Sequence, residues 1–235
     1  MRALILAALM VSPSWASAGS REDLEPSEGH FSRIGPLDPY YAVLREALVG
    51  SHGYRKCQMV VLPSFEREWA VYMVRDEGAP AMLFFRRLKK PLWGEMMSVI
   101  SDNHRKQSYS VGAEAQQAAL ARVKLDQDRS KASISDRSAD LLEDVWWQML
   151  GRTRYPVEPE QGLDGTSYWV AHWRTGVGFR SGETWSPEDG TRTKALVSLA
   201  EHMAAFAQAP TPEADAALGS EAQSLLERLA KTPSQ

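Results

Sequence analysis

The sequence predicts an α+β fold in a single domain, an antiparallel sheet of about five strands with helices packed on one face. Three observations predict it. The apolar runs 57–62 (CQMVVL), 69–75 (WAVYMVR) and 81–88 (AMLFFRRL) are joined by links of only five or six residues. Such links suit a meander, because parallel strands need a crossover of about a dozen residues. The aromatic and β-branched runs 166–173 and 179–185 flank Thr175-Gly176-Val177-Gly178 and read as a hairpin. Apolar residues at helical spacing recur before, between and after these runs.

Each element has its own signal. Asp38-Pro39 offers a cap followed by proline at the first helical position, and Tyr40, Tyr41, Leu44, Ala47 and Leu48 share one face up to Gly50. The runs at 57–62 and 69–75 are apolar on both faces, as central strands are. Residues 91–134 are the hardest to assign. Trp93–Ile100 suits a short helix and 113–123 another, and part of 123–134 reads as an exposed strand rejoining the sheet. Asp136–Leu150 is the clearest helix, with Leu141, Leu142, Val145, Trp146 and Met149 as its apolar stripe and Gly151 at its end. After the hairpin, Thr191 caps a helix with Leu196, Leu199, Ala200, Met203 and Phe206 on one face. The tail, 210–235, repeats Leu218, Leu225, Leu226 and Leu229 at helical spacing and reads as peripheral, either helical or disordered.

The 235 residues are 43% apolar and 24% charged, ordinary globular values that fit one domain. Residues 1–18 read as a secretory signal peptide: Arg2, an apolar run from Ala3 to Val11, and Ala16-Ser17-Ala18 before a cleavage site after Ala18. The apolar run is too short to span a bilayer, which takes about 20 residues. The expected product is a periplasmic or secreted bacterial protein with no transmembrane segment in the mature chain. It would comprise a flexible lead-in (19–37), a globular domain (38–209) and the tail. Its net charge moves from −3 to −4 with the loss of Arg2. That balance argues against nucleic acid as partner, since nucleic-acid binding needs a basic stripe.

The chemistry is mostly exclusion. One cysteine, Cys57, allows neither an intramolecular disulfide nor a thiolate zinc cluster, and its apolar run suggests a buried thiol. No G-x-S-x-G or S-x-x-K motif occurs. The five histidines are too dispersed for a paired-His helix, so no metal is expected. Asp126-Gln127-Asp128 begins like a calcium loop, but Lys131 and Arg137 stand where Gly and Glu are required. The glycines at 176–182 have a displaced third Gly and no following helix, so no dinucleotide cofactor is expected. Glu66 and Glu68 flank Arg67 on a link, where a charged loop tip is commoner than a buried acid/base pair.

Two surface features remain. Arg86, Arg87, Lys89 and Lys90 form a basic patch suited to an anionic envelope component or to guarding an edge strand. Tyr168, Trp169, His172, Trp173 and Trp185, with Arg180 interleaved, concentrate hot-spot residue types in the hairpin. Alternation puts Tyr168 and His172 on one face and Trp169 and Trp173 on the other. Both faces are core only if the hairpin is covered twice, and an uncovered face would bind. The expectation is therefore a non-enzymatic binding protein for a protein partner in the bacterial envelope, of inhibitor, immunity or accessory type. The alternative is an envelope hydrolase acting on peptidoglycan or another glycan or peptide, with a site drawn from Glu66, Glu68, His172 or Asp164.

Overall fold

The computed structural model of the chain describes residues 22–27, 39–50, 54–104, 118, 120, 121, 123, 125–156 and 164–231. The signal-peptide reading of 1–18 lies outside these residues. The elements run β1 (Glu25–Pro26), α1 (Pro39–Leu48), β2 (Lys56–Pro63), β3 (Trp69–Val74), β4 (Met82–Leu88), α2 (Leu92–His104), β5 (Gln127–Ser133), α3 (Asp136–Leu150), β6 (Thr166–Arg174), β7 (Gly178–Trp185), α4 (Arg192–Gln208) and α5 (Pro212–Lys231). The α+β class and the antiparallel sheet stand.

The strand count is seven among the described residues, in the order β1-β7-β6-β2-β3-β4-β5. The two additional strands come from weakly patterned segments, β1 with two residues and the polar β5. β2, β3 and β4 form the expected meander, β5 joins its edge after α2, and the α3-containing connection then carries the chain back so that β6 pairs with β2. Helices lie on both faces, not one. Met59, Val61, Val71, Met73, Leu83, Phe85 and Val170 share one core with α3 and α4, and α5 packs against those two helices. Val60, Ala70, Leu88, Trp169 and Ala171 meet α1 and α2. Central strands buried at successive positions, as β2 and β3 are, need a cover on each face.

The caps form as their chemistry dictates. Ser135 accepts from the Ser138 N–H to start α3, and Thr191 accepts from the Lys194 N–H to start α4. Trp146, fully buried on α3, donates its indole N–H to the Gln58 carbonyl, 3.2 Å. Both chain-end segments of the described structure are built into the core. Leu24 is fully buried, Arg192 binds the carboxylates of Glu22 and Asp23, and β1 pairs with β7. The tail is the helix α5, whose Leu218, Ala222, Leu225 and Leu229 pack against α3 and α4. No helix among the described residues is long and apolar enough to cross a membrane.

Candidate functional site

Register decides where the hairpin side chains go. Tyr168, Trp169 and His172 are buried. Trp169 meets Tyr41 edge-on at 4.9 Å beneath α1, while Tyr168 faces the three-helix side. Burial, then the Glu201 charge, raises the Tyr168 phenol pKa. Trp185 is half-buried opposite Ser167, at the far end of the hairpin from its turn. A Cβ on Gly165 would meet its ring at 2.5 Å, so only glycine allows that approach. The six hairpin residues thus do not form one surface. Trp173 and Arg180 alone sit near the turn and away from the core.

That turn is the centre of the candidate site. The Val177 N–H donates to the Arg174 carbonyl, and Gly176 and Gly178 take φ of +78° and +95°, conformations that glycine supplies without strain. Phe179 stands directly opposite Trp173, and the Tyr54 ring lies 4.2 Å from the Trp173 ring. Tyr54, Val177 and Phe179 are 70%, 54% and 46% exposed. Large apolar side chains exposed together in this way mark interaction sites. On the other face of the hairpin, the Arg174 and Arg180 guanidiniums lie over Trp147 of α3 at 4.7 and 4.0 Å.

Below the two arginines, Asp140, Glu143, Asp144, His172 and Arg174 line a cavity of about 360 Å³. The Cys57 N–H donates to His172 Nδ1 at 3.2 Å, which makes that nitrogen the acceptor. Burial pushes the His172 pKa down to about 4, with Lys56 and Arg174 acting in the same direction against Glu143. Lys56 pairs with Glu143 at 2.7 Å, and Arg75 reaches Asp136, Asp140 and Glu143. A second cleft of about 830 Å³, lined by Lys56, Arg75, Asp136, Trp173 and Thr175 among others, opens on the same end of the sheet.

This chemistry is poor for nucleophilic catalysis. Cys57 is a free, buried thiol whose pKa burial, reinforced by Glu143, raises well above the ordinary value, so it stays protonated. The carboxylates of the hydrolase reading are not assembled. Glu66 and Asp164 are exposed. Glu68 is buried, contrary to the loop-tip expectation, because it accepts from the Leu92 N–H that opens α2 (3.0 and 3.1 Å) and from the Tyr40 hydroxyl (2.8 Å). The register sets Glu68, beside Trp69, near the Tyr168 end of β6, and His172 near the opposite end. Among the described residues no three His, Cys, Asp or Glu side chains group as metal ligands.

The basic patch divides by alternation. Arg86 lies on the α1–α2 face and donates to the Ala47 carbonyl, whereas Arg87 lies on the three-helix face near Asp128. Lys89 and Lys90 follow in the turn before α2, where Lys90 pairs with Glu95. Tyr54 and Trp147 escape sequence reasoning because each joins the hairpin only across tertiary contacts. Comparison with protein-family models, with curated proteins and with solved structures returns no match.

Proposed function

We propose that the chain is an exported, non-enzymatic binding protein of the bacterial envelope that takes a protein partner at the β6–β7 turn, as an inhibitor or accessory factor. The observation that carries this is the exposed Tyr54, Val177 and Phe179 beside the half-buried Trp173, with Arg174 and Arg180 on the reverse of the same turn. Aromatic and arginine side chains of this kind supply most of the energy at protein interfaces. A three-residue turn, Thr175 to Val177, at the end of a doubly covered sheet orders few side chains on binding, which keeps the entropic cost small. Burial of the thiol and dispersal of the carboxylates favour binding over catalysis.

The test is crosslinking in the native envelope, with mass spectrometry of the captured species, for the wild type and for Phe179→Ala and Val177→Ser. Both positions are exposed, so the fold is retained. The expected result is one stoichiometric protein partner that both variants lose. Capture unchanged in both variants refutes the assignment of the turn. Turnover of purified peptidoglycan by the chain refutes the non-enzymatic reading. Amino-terminal sequencing of the periplasmic protein is expected to begin at Gly19.

A further inference from the structure

On the sheet face beneath α1 and α2, the apolar contacts with these helices reach Val60, Ala70 and Leu88. The residues that follow on the same face are of another kind. Tyr72 stands opposite Phe84, Phe84 opposite Lys131, and Arg86 opposite Arg129. Tyr72 and Phe84 stack at 5.2 Å with their planes 10° apart. The Arg55 guanidinium lies over the Tyr72 ring at 4.3 Å, and Arg86 lies 5.7 Å from the same ring. Burial lowers the Arg55 pKa, and the charge of Arg86 acts in the same direction.

Like charges directly opposite one another destabilise an antiparallel pair, and Arg86–Arg129 is such a pair. Among the described residues, no carboxylate lies within ion-pair distance of Arg55, Arg86, Arg129 or Lys131. Gln58, in the register break opposite Tyr72 and only 2% exposed, keeps a buried Nε2 donor without an acceptor. Among the described residues, the four cations and the orphaned donor around this aromatic pair meet neutral acceptors at most, the Ala47 carbonyl for Arg86 and Gln127 Oε1 for Arg129.

We propose that this half of the sheet face binds an extended acidic segment of the partner protein, its carboxylates on Arg55, Arg86, Arg129 and Lys131 and its apolar side chains on Phe84. This rests on the partner-binding reading above and supplies the partner's chemistry. The geometry suits an extended peptide. Neighbouring strands lie about 4.8 Å apart and alternate side chains of an extended chain recur every 6–7 Å on one side, spacings that long Arg and Lys side chains can bridge. Arginine takes carboxylate oxygens two at a time. The face is also bounded. Glu46 lies at its α1 edge close enough to act on Arg55, and Asp76 and Glu77 close the β3–β4 end. A long polyanion would run onto these carboxylates, on a chain of net charge −3, whereas a short acidic segment fits between them. The face is continuous with the turn cluster, because the Arg55 carbonyl accepts from the Trp173 N–H at 3.2 Å.

Fluorescence anisotropy on the purified chain tests this with a labelled decapeptide of alternating Glu and Ser carrying one Phe. Its Gln counterpart, single-stranded oligo-dT and phosphatidylglycerol vesicles serve as comparators. The expected result is binding of the acidic peptide alone, weakened at least tenfold by Arg129→Gln with Lys131→Gln and again by raising NaCl from 50 to 300 mM. Arg129 and Lys131 are exposed, so that double variant keeps the fold, and Arg86→Gln repeats the test nearer the core. Equal binding of the Gln peptide, unchanged affinity in the variants, tighter binding of oligo-dT or vesicles, or no peptide binding overturns the proposal. In the envelope experiment, a partner lost in Phe179→Ala but retained in Arg129→Gln/Lys131→Gln overturns it while leaving the partner-binding reading intact. Peptide binding without any captured partner overturns that reading and leaves the acidic specificity standing.

Discussion

Truncating Leu24 to alanine tests whether the amino-terminal segment is part of the core or only trails beside it. Leu24 is fully buried in the three-helix core, although it lies within the 19–37 lead-in. Its carbonyl accepts from the Arg154 N–H, and its Cβ lies 3.1 Å from where a side chain on Gly182 would begin. Leu→Ala removes three buried carbons. At about 0.8 kcal/mol each, the transfer loss is roughly 2.4 kcal/mol. A cavity that cannot collapse raises such losses into the range of about 2.7–5 kcal/mol. A segment this near the chain end can instead detach, which caps the loss at its own docking free energy. The ion pairs of Arg192 with Glu22 and Asp23 resist detachment. The expected outcome is a loss of about 2–3 kcal/mol in urea unfolding followed by tryptophan fluorescence, and a Tm lower by roughly 5–10 °C for a chain of this size. A loss under about 0.5 kcal/mol, with the amino-terminal segment cleaved by protease equally fast in both proteins, would show that Leu24 is not part of the core.

Two further predictions concern buried titratable groups. His172 has its pKa depressed from 6.5 to about 4, so the fold favours the neutral ring. Its contribution is fully present above about pH 6.5 and is lost as the pH falls towards 4, amounting to about 3 kcal/mol. His172→Gln retains an acceptor for the Cys57 N–H, so the wild type is expected to lose that much more stability than the variant between pH 7.5 and 4. Parallel urea midpoints at the two pH values would show the ring plays no such part. The Cys57 thiol, buried and held protonated, is expected to react with a disulfide reagent at the rate of global unfolding, and at once in denaturant. Full labelling of the native protein within seconds would contradict its burial.

Much of the fold was legible because local chemistry and tertiary demand agree. The 57–62, 69–75 and 81–88 runs became β2, β3 and β4 to within two residues at either end, and Asp136–Leu150 became α3. Thr191 caps α4 through its own hydroxyl. These signals lie within a few residues of one another, where a turn, a cap or an apolar stripe is complete by itself. β5 was harder to place because its residues are nearly all polar, and an edge strand needs only one apolar position, Ala132, to dock.

Local patterning suffices for the α+β class, the antiparallel meander and hairpin, the alternation of the hairpin side chains and the poverty of catalytic motifs. Which residues share a surface follows instead from how distant segments pair. Pairing of β6 with β2 buried Trp169 and His172, while the β2–β3 register breaks between Lys56 and Met59, where Cys57 takes a φ of +47°. Pairing of β4 with β5 set Arg86 against Arg129 and Phe84 against Lys131. Alternation along a strand is a property of the chain, with a period of two. The neighbours across a sheet depend on register between segments tens of residues apart, and composition carries no record of that register.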